Sequence, residues 1–462
     1  MNPQGSRSCD VAIVGGGMVG ASLALALAAT PLSVTMIEAA PPAAPVPPEP
    51  PAGASDVDGV ATPSFDDRTT ALGNGARRIF QTLGVWEQIA AQAAPIRQIH
   101  VSDAGRFGFA RLRAEEHSLD AFGFTVANRH LGHVLWSALR ARSRVELLAP
   151  ARVSGAQLNE SEALLSVVAV SPPGGAQAAA GGQPGCLRAR LVVAADGAHS
   201  LVKQAAAIDS RTSDYGQVAV VSVVRTDSPA AGVAFERFTD TGPLALLPRF
   251  DRSYGVIWTM PPAAAREHLG CTPEEFCSRL QRRFGWRAGR FLSVGPRASY
   301  PLTLVHAGSS VGTRVALIGN AAQALHPIAA QGFNLGLRDA AVLAELLGAA
   351  QDPGAPGLLE RYAQQRAADR RGMIGFTDQL VRVFGQRSAL VGAARDLALL
   401  LFDLSPPAKQ ALSRLSWGFG ALPRLSRGLP LRARRAPHTG DAQEATEGPD
   451  EHGRGQGEHG RR

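Results

Sequence analysis

Gly15-Gly16-Gly17-Met18-Val19-Gly20 is a G-x-G-x-x-G set placed directly after the apolar run Val11-Ala12-Ile13-Val14 and at the start of a helical stretch. The chemistry of that pattern is anion binding. Gly15 permits a tight turn, Gly17 lets the backbone approach a pyrophosphate, and Gly20 lets helix and strand pack closely. The helix start adds free N–H groups and the positive end of its dipole. Glu38 closes a second strand, Ser33 to Ile37, where it is placed to accept hydrogen bonds from a ribose diol. The set reads as a nucleotide site and leaves FAD and NAD undistinguished.

Two further stretches make that distinction. Val192 to Lys203, with Asp196-Gly197 and Ser200, resembles the D-G-x-x-S-x-x-R fingerprint of FAD-dependent aromatic hydroxylases, with Lys203 in place of the arginine. Lysine keeps the charge and loses the planar fork. Val315 to Pro327, through Gly319-Asn320-Ala321-Ala322-Gln323, resembles the second FAD motif of that group, usually G-D-A-A-H. His326 to Asp339 resembles the H-P-[LIV]-[AG]-G-Q-G-x-N-x-G-x-x-D signature of the ubiquinone-biosynthesis hydroxylases, with Ala330 for a glycine. The G-N-A-A-Q form is similar to the 2-polyprenyl-6-methoxyphenol hydroxylase (UbiH-type) branch. Gly242 to Pro248 followed by Val256-Ile257-Trp258, Asp67 to Leu72, and Asn128-Arg129 resemble further positions of that branch.

The resemblance implies an FAD site at Gly15, Gly17, Gly20, Glu38, Arg68, Arg129, Asp196, Gly197, Gly319, Asn320, Pro327, Gly332 and Asn334, with His326 and Gln331 near the flavin and no catalytic side chain assigned. A strand ending in Gly319-Asn320 offers a polar side chain to the sugar alcohol of FAD, and the turn Gln331 to Asn334 precedes a helix whose N–H groups suit negative charge on a reduced flavin. The family mechanism implied is reduction of FAD by NADPH or NADH, addition of O2 at flavin C4a, and delivery of one oxygen from the hydroperoxide to the ring of a polyprenylated methoxyphenol. Two other readings stand beside it: a flavin hydroxylase of a small soluble aromatic acid, and a non-catalytic flavin-binding subunit of a biosynthetic complex.

The elements that must hold these residues follow from pattern. The resemblance and the alternation of buried strand runs with helical spacing imply an α/β fold. A Rossmann-like FAD-binding domain (8–215 and 300–376) is interleaved with an antiparallel-sheet substrate domain (216–299), and C-terminal helices (377–430) and a disordered tail (431–462) follow. A Pro-rich insertion (39–64) and a Gly/Ala-rich one (172–185) interrupt the first domain, and Arg68 to Leu83 and Leu131 to Arg140 have helical apolar spacing.

Composition sets the limits. With 462 residues, 45 % apolar and 19 % charged, the chain is long enough for two or three domains and is not a disordered polymer. The net charge of +8 is almost all arginine, Lys203 and Lys409 being the two lysines, and is too dispersed for nucleic acid. Cys9, Cys186, Cys271 and Cys277 are scattered, which argues against a metal centre or disulfide framework and fits a reducing compartment. Val11 to Ala29 is uncharged, but its glycines argue against a signal peptide or membrane span. Residues 361–430 carry +7 beside the apolar run Leu397 to Phe402. With a lipophilic prenylphenol substrate, that basic stretch implies a cytoplasmic protein that meets the inner-membrane surface or other ubiquinone-biosynthesis proteins.

Overall fold

The computed structural model describes residues 7–42, 66–106, 108–142, 144–170, 185–228, 230–325, 331–385 and 423–431. His326, Pro327, nearly all of both insertions, the segment containing Leu397 to Phe402 and almost all of the tail lie outside the described residues.

Two short apolar strands form the axis of the first sheet. Arg7–Val14 and Gly185–Ala194 run parallel, with Val11 opposite Leu191 and Val14 opposite Ala194. Val34–Ile37 and Val145–Leu148 extend this parallel set on one side, and Val315–Leu317 extends it on the other. These strands read as continuous β-branched and apolar runs because both faces are covered. On one face Val11 and Ile13 pack with residues of helices Met18–Leu27, Asn128–Arg140 and Gly332–Gly348. On the other, Ala12 and Val14 meet side chains of the hairpin Ala151–Leu158 and Ala163–Ala169.

The second sheet has nine strands in the path Gln323–Ala324, Ala298–Ala307, Ser210–Thr226, Tyr254–Met260, Gly242–Pro248, Val233–Thr239, Gln98–Asp103 and Phe109–Arg113, with Phe291–Val294 alongside Ser210–Thr226. It is antiparallel except where Val233–Thr239 lies parallel to Gln98–Asp103. The sheet therefore draws strands from well outside 216–299, since an edge strand takes whatever extended segment the fold brings beside it. Helices Pro262–Gly270 and Pro273–Phe284 cover one face. The second helix starts with a capping box, Thr272 accepting from the Glu275 N–H while the Glu275 carboxylate accepts from the Thr272 N–H.

A three-stranded sheet, Thr69–Gly73, Gly123–Ala127 and Ala94–Ile96, joins the two larger ones. Here Arg68 to Leu83 departs from the helix expected. Its first part is the strand Thr69–Gly73 and only Asn74–Thr82 is helical, because Thr69 and Thr70 are β-branched and pair with Ala127 and Val126. The boundary expected between 376 and 377 falls inside one helix, Pro356–Gly385, which contains no proline after its first residue. Among the described residues no helix is long and apolar enough to cross a membrane.

That last helix is joined to Gly332–Gly348 by buried charge. Arg338 Nε donates to Asp369 Oδ2 at 2.7 Å, Arg366 Nε donates to Asp339 Oδ1 at 2.7 Å, and Arg366 also meets Asp369 at 2.7 Å. All four side chains are less than 5 % exposed. Removing one partner of such a cluster leaves a charge uncompensated in low dielectric. Asp369→Ala is expected to lower the unfolding free energy by about 3–5 kcal/mol, measured by urea denaturation; a change below about 1 kcal/mol would show that the cluster relaxes to water.

Candidate active site

The glycine turn is built from close approaches. Gly15 has φ +101°, and a Cβ there would lie 2.5 Å from the Ala195 carbonyl oxygen. A Cβ on Gly20 would lie 2.0 Å from the Gly15 oxygen. Gly17 is the N-cap of helix Met18–Leu27 and brings no side chain to its first-turn N–H groups. Gly16, which sequence reasoning left without a role, is wedged between Trp136 and Glu38. Its carbonyl accepts from Trp136 Nε1 at 2.9 Å and its N–H donates to Glu38 Oε2 at 2.6 Å. Glu38 thus holds the turn as well as standing at the strand end, and its other oxygen accepts from the Ala40 N–H at 2.8 Å. Burial pushes the Glu38 carboxyl upward, and the nearby Asp196 adds to the rise.

Asp196-Gly197 sits at the end of the neighbouring strand, against that turn. The Ala195 N–H donates to the Val14 carbonyl at 2.7 Å, and Gly197 has φ +88°. Asp196 Oδ2 accepts from the Leu201 N–H at 3.1 Å, while Oδ1 is buried without a hydrogen-bond partner among the described residues. Burial pushes this carboxyl up as well. Lys203 is buried and donates from Nζ to the Ala198 carbonyl at 2.7 Å, so its charge closes the motif's own loop.

The third motif follows the next strand. Ile318 N–H donates to the Ala194 carbonyl at 3.0 Å, so Gly319 emerges beside Asp196. Gly319 has φ +57°, and Gly336 packs so tightly that its Cβ would lie 2.9 Å from Gly319 Cα. Asn320 is exposed. Gln323 points inward, where its Nε2 donates to Asp339 Oδ2 at 2.7 Å.

Gln331 is the N-cap of Gly332–Gly348, with Oε1 buried and without a partner among the described residues. A Cβ on Gly332 would meet nothing within 4 Å. The Asn334 side chain reaches a neighbouring strand. It accepts from the Gly73 N–H and donates to the Ala71 carbonyl, both at 2.8 Å, and so clamps the strand Thr69–Gly73. Arg68 and Arg129 lie together at the beginning of that strand. Arg68 bridges Asp66 at 2.6 Å and lies 4.5 Å over the Tyr300 ring, and Arg129 bridges Asp67 at 3.0 Å. Asp66 and Tyr300 gave no signal as site residues in the sequence, since they are joined only across 234 residues, the Tyr300 hydroxyl donating to Asp66 Oδ2 at 3.1 Å. Gly336 and Asp339 stand in the signature without a role that the sequence alone assigns.

The arrangement fits a dinucleotide. A side-chain-free cradle, an uncapped helix N-terminus and an orphaned buried carboxylate oxygen converge at adjacent strand ends, where ribose hydroxyls and phosphates find both acceptors and donors.

Comparison with known proteins agrees. Residues 56–377 match the family described as FAD binding domain. The chain is 37 % identical to Ubiquinone hydroxylase UbiL of Rhodospirillum rubrum, over 92 % of this chain and 94 % of that one. It is 30 % identical to the 3-demethoxyubiquinol 3-hydroxylase of Escherichia coli, over 89 % and 99 %. Among solved structures, p-nitrophenol 4-monooxygenase PnpA of Pseudomonas putida shares the fold at TM-score 0.69 and 19 % identity, covering 88 % of this chain and 97 % of that one.

The purified protein is expected to be yellow and to hold FAD without a covalent bond. Gly17→Asp sets a carboxylate where the phosphates would lie, and Gly15→Ala drives a methyl group into Ala195. Both are expected to abolish retention, read as loss of the flavin absorbance on gel filtration; undiminished absorbance in either variant would refute the placement. On the family match and the near full-length identity, the chain belongs to the FAD binding domain family and, within it, to the UbiH/COQ6-type hydroxylases of ubiquinone biosynthesis.

Proposed function

We propose that this protein is a monooxygenase that hydroxylates the ring of a polyprenylated methoxyphenol in ubiquinone biosynthesis, consuming NADPH or NADH and O2 and releasing water. FAD supplies the oxygen-activating chemistry, and the protein contributes orientation, exclusion of water and placed charge. The reading is carried by the family membership, and the nine-stranded sheet packs directly on the cofactor domain. Ala234, Leu247 and Ile257 of the nine-stranded sheet pack with Ala71, and a Cβ on Gly255 would lie 2.7 Å from Thr69 Oγ1.

The N–H groups at the start of Gly332–Gly348 lack a side-chain cap and favour negative charge on a reduced cofactor. In ring position, the G-N-A-A-Q resemblance favours oxidation para to the phenol, ring carbon 1, whereas the Escherichia coli relative is named for a different carbon. Deleting the gene in a strain without a redundant hydroxylase is expected to accumulate a prenylated methoxyphenol lacking one ring hydroxyl, identified by mass spectrometry of quinone extracts. Normal ubiquinone would overturn the function. An intermediate blocked at another carbon would keep the enzyme class and move the position.

A substrate of this kind resides in lipid, and the +7 balance of residues 361–430 beside Leu397 to Phe402 supports contact with an anionic membrane surface. Flotation with anionic liposomes is expected to weaken with salt and to drop when residues 378–462 are removed. A folded truncation that floats equally well rules this anchor out.

A further inference from the structure

Glu236 lies in the middle of the strand Val233–Thr239, paired on one side with Gly242–Pro248 and on the other with Gln98–Asp103. The strand's side chains divide between two faces. Phe235 packs with Phe276 and Phe284 of the covering helix, and Arg237 Nε donates to the Arg283 carbonyl at 3.2 Å. Ala234 turns the other way and packs with Ala71 and Ile257. Alternation places Glu236 on the face with Ala234, toward the cofactor domain. Its cross-strand neighbours are Ala245 and Val101, and beyond Ala245 stands Ile257.

A carboxyl group in the centre of an apolar sheet face is costly unless something completes it. No described residue hydrogen-bonds or ion-pairs with Glu236, and burial alone pushes its carboxyl up to about 7. The side chain is only half-buried although strands flank it and helices back it. What exposure it keeps is on the face that Ala234 shares, turned toward the cofactor domain. The charged and titratable groups on the same face are Asp103, paired with Arg106 at 3.8 Å, Arg249 at the Thr69 end, and Tyr300, whose hydroxyl donates to Asp66 at 3.1 Å beneath Arg68.

We propose that Glu236 receives the hydroxyl of the phenolic substrate on this sheet face and takes its proton during ring hydroxylation. The inference rests on the phenol reading proposed above. The phenol O–H bond breaks, the proton passes to a Glu236 carboxylate oxygen, and the electron pair stays on the phenol oxygen. From there it raises electron density at the ortho and para carbons, where an electrophilic oxygen is accepted. The product oxygen takes the proton back on release. No oxidant is used in the transfer. An ordinary carboxylate is a poor base for a phenol, whose pKa is near that of tyrosine, about 10. One raised to about 7 is a better match for a proton-transfer partner.

The test uses the FAD-loaded full chain and 2-methoxy-6-(3-methylbut-2-enyl)phenol as probe. Wild type is expected to show a red-shifted phenol difference band on binding at pH 8, from the phenol O–H donating to the Glu236 carboxylate. Below pH about 7 Glu236 keeps its own proton and accepts none. The band and kcat/KM should then fall, approaching tenfold per pH unit. Glu236→Gln is expected to lose at least tenfold in both, with FAD content per chain unchanged and the pH step abolished, and Glu236→Asp to recover part of the band. A glutamine variant with the same band and the same pH midpoint overturns the proposal. Should that variant lose its FAD, an aspartate variant with unaltered band and midpoint overturns it equally. A wild-type enzyme that hydroxylates the probe while Glu236→Gln matches it removes only the role of Glu236. A wild-type enzyme that neither binds nor hydroxylates the probe removes the phenol reading and this inference with it.

Discussion

Three parallel strands end side by side, and the space where they end is too small for side chains. A methyl group on Gly15 would strike the Ala195 carbonyl, one on Gly20 the Gly15 oxygen, and one on Gly336 the backbone of Gly319. The first contact joins the glycine turn to the strand end at 195, the second closes the glycine turn on itself and the third packs the last helix on the turn at 319. With the Ile318 N–H on the Ala194 carbonyl, the three strand ends are one packed object. Two helices begin there, Met18–Leu27 and Gly332–Gly348, and both lack a side-chain cap. Close backbone packing thus leaves main-chain N–H groups and the positive ends of two helix dipoles as the chemistry of the site. Groups of this kind cannot swing away, which suits a site that must hold a redox cofactor in one pose.

That packed point is braced from behind by ionic contacts. Asp339 accepts from Gln323 Nε2 at 2.7 Å and from the Gly319 N–H at 3.3 Å, and its other oxygen accepts from Arg366. Tyr362, from the same helix as Arg366, donates to the Leu317 carbonyl at 2.9 Å. The helix Pro356–Gly385 therefore fixes the strand end, the turn and the glutamine of the third motif together. A well-packed apolar contact would stabilise as much or more. What the charges add is direction, because a carboxylate at 339 satisfies these donors in one register of the two helices only.

The local elements were legible because their signals are local. Val11 to Val14, Leu191 to Ala194 and Val315 to Leu317 announce buried strands by composition, and the glycine spacing announces the turn. Gly16, Gln323, Asn334 and Glu236 were not legible as they stand. Gly16 is required to be glycine by Trp136, 120 residues away, and Asn334 acts on Gly73, 261 residues away. The strand Thr69–Gly73 was hidden for the same reason, since its partner Gly123–Ala127 supplies the pairing that overrides helical spacing. Glu236 is conspicuous only once the faces of the strand are known. In the sequence it is one acid among 39 Asp and Glu.

The clamp made by Asn334 has a consequence for how the two halves of the reaction meet. Its amide holds both ends of the segment Ala71 to Gly73, and Ala71 packs against Ala234, Leu247 and Ile257 of the nine-stranded sheet. One side chain in the first turn of the helix Gly332–Gly348 therefore sets the position of the strand on which the nine-stranded sheet rests. Thr125, on the strand next to it, donates through its hydroxyl to the Pro248 carbonyl and ties the small sheet to the large one a second time. Cofactor and substrate elements come from distant parts of the chain, yet they are separated by a single strand with both faces engaged. Any shift of the helix start is passed to the nine-stranded sheet through that strand, so the two larger parts of the fold are held in register by a segment of three residues.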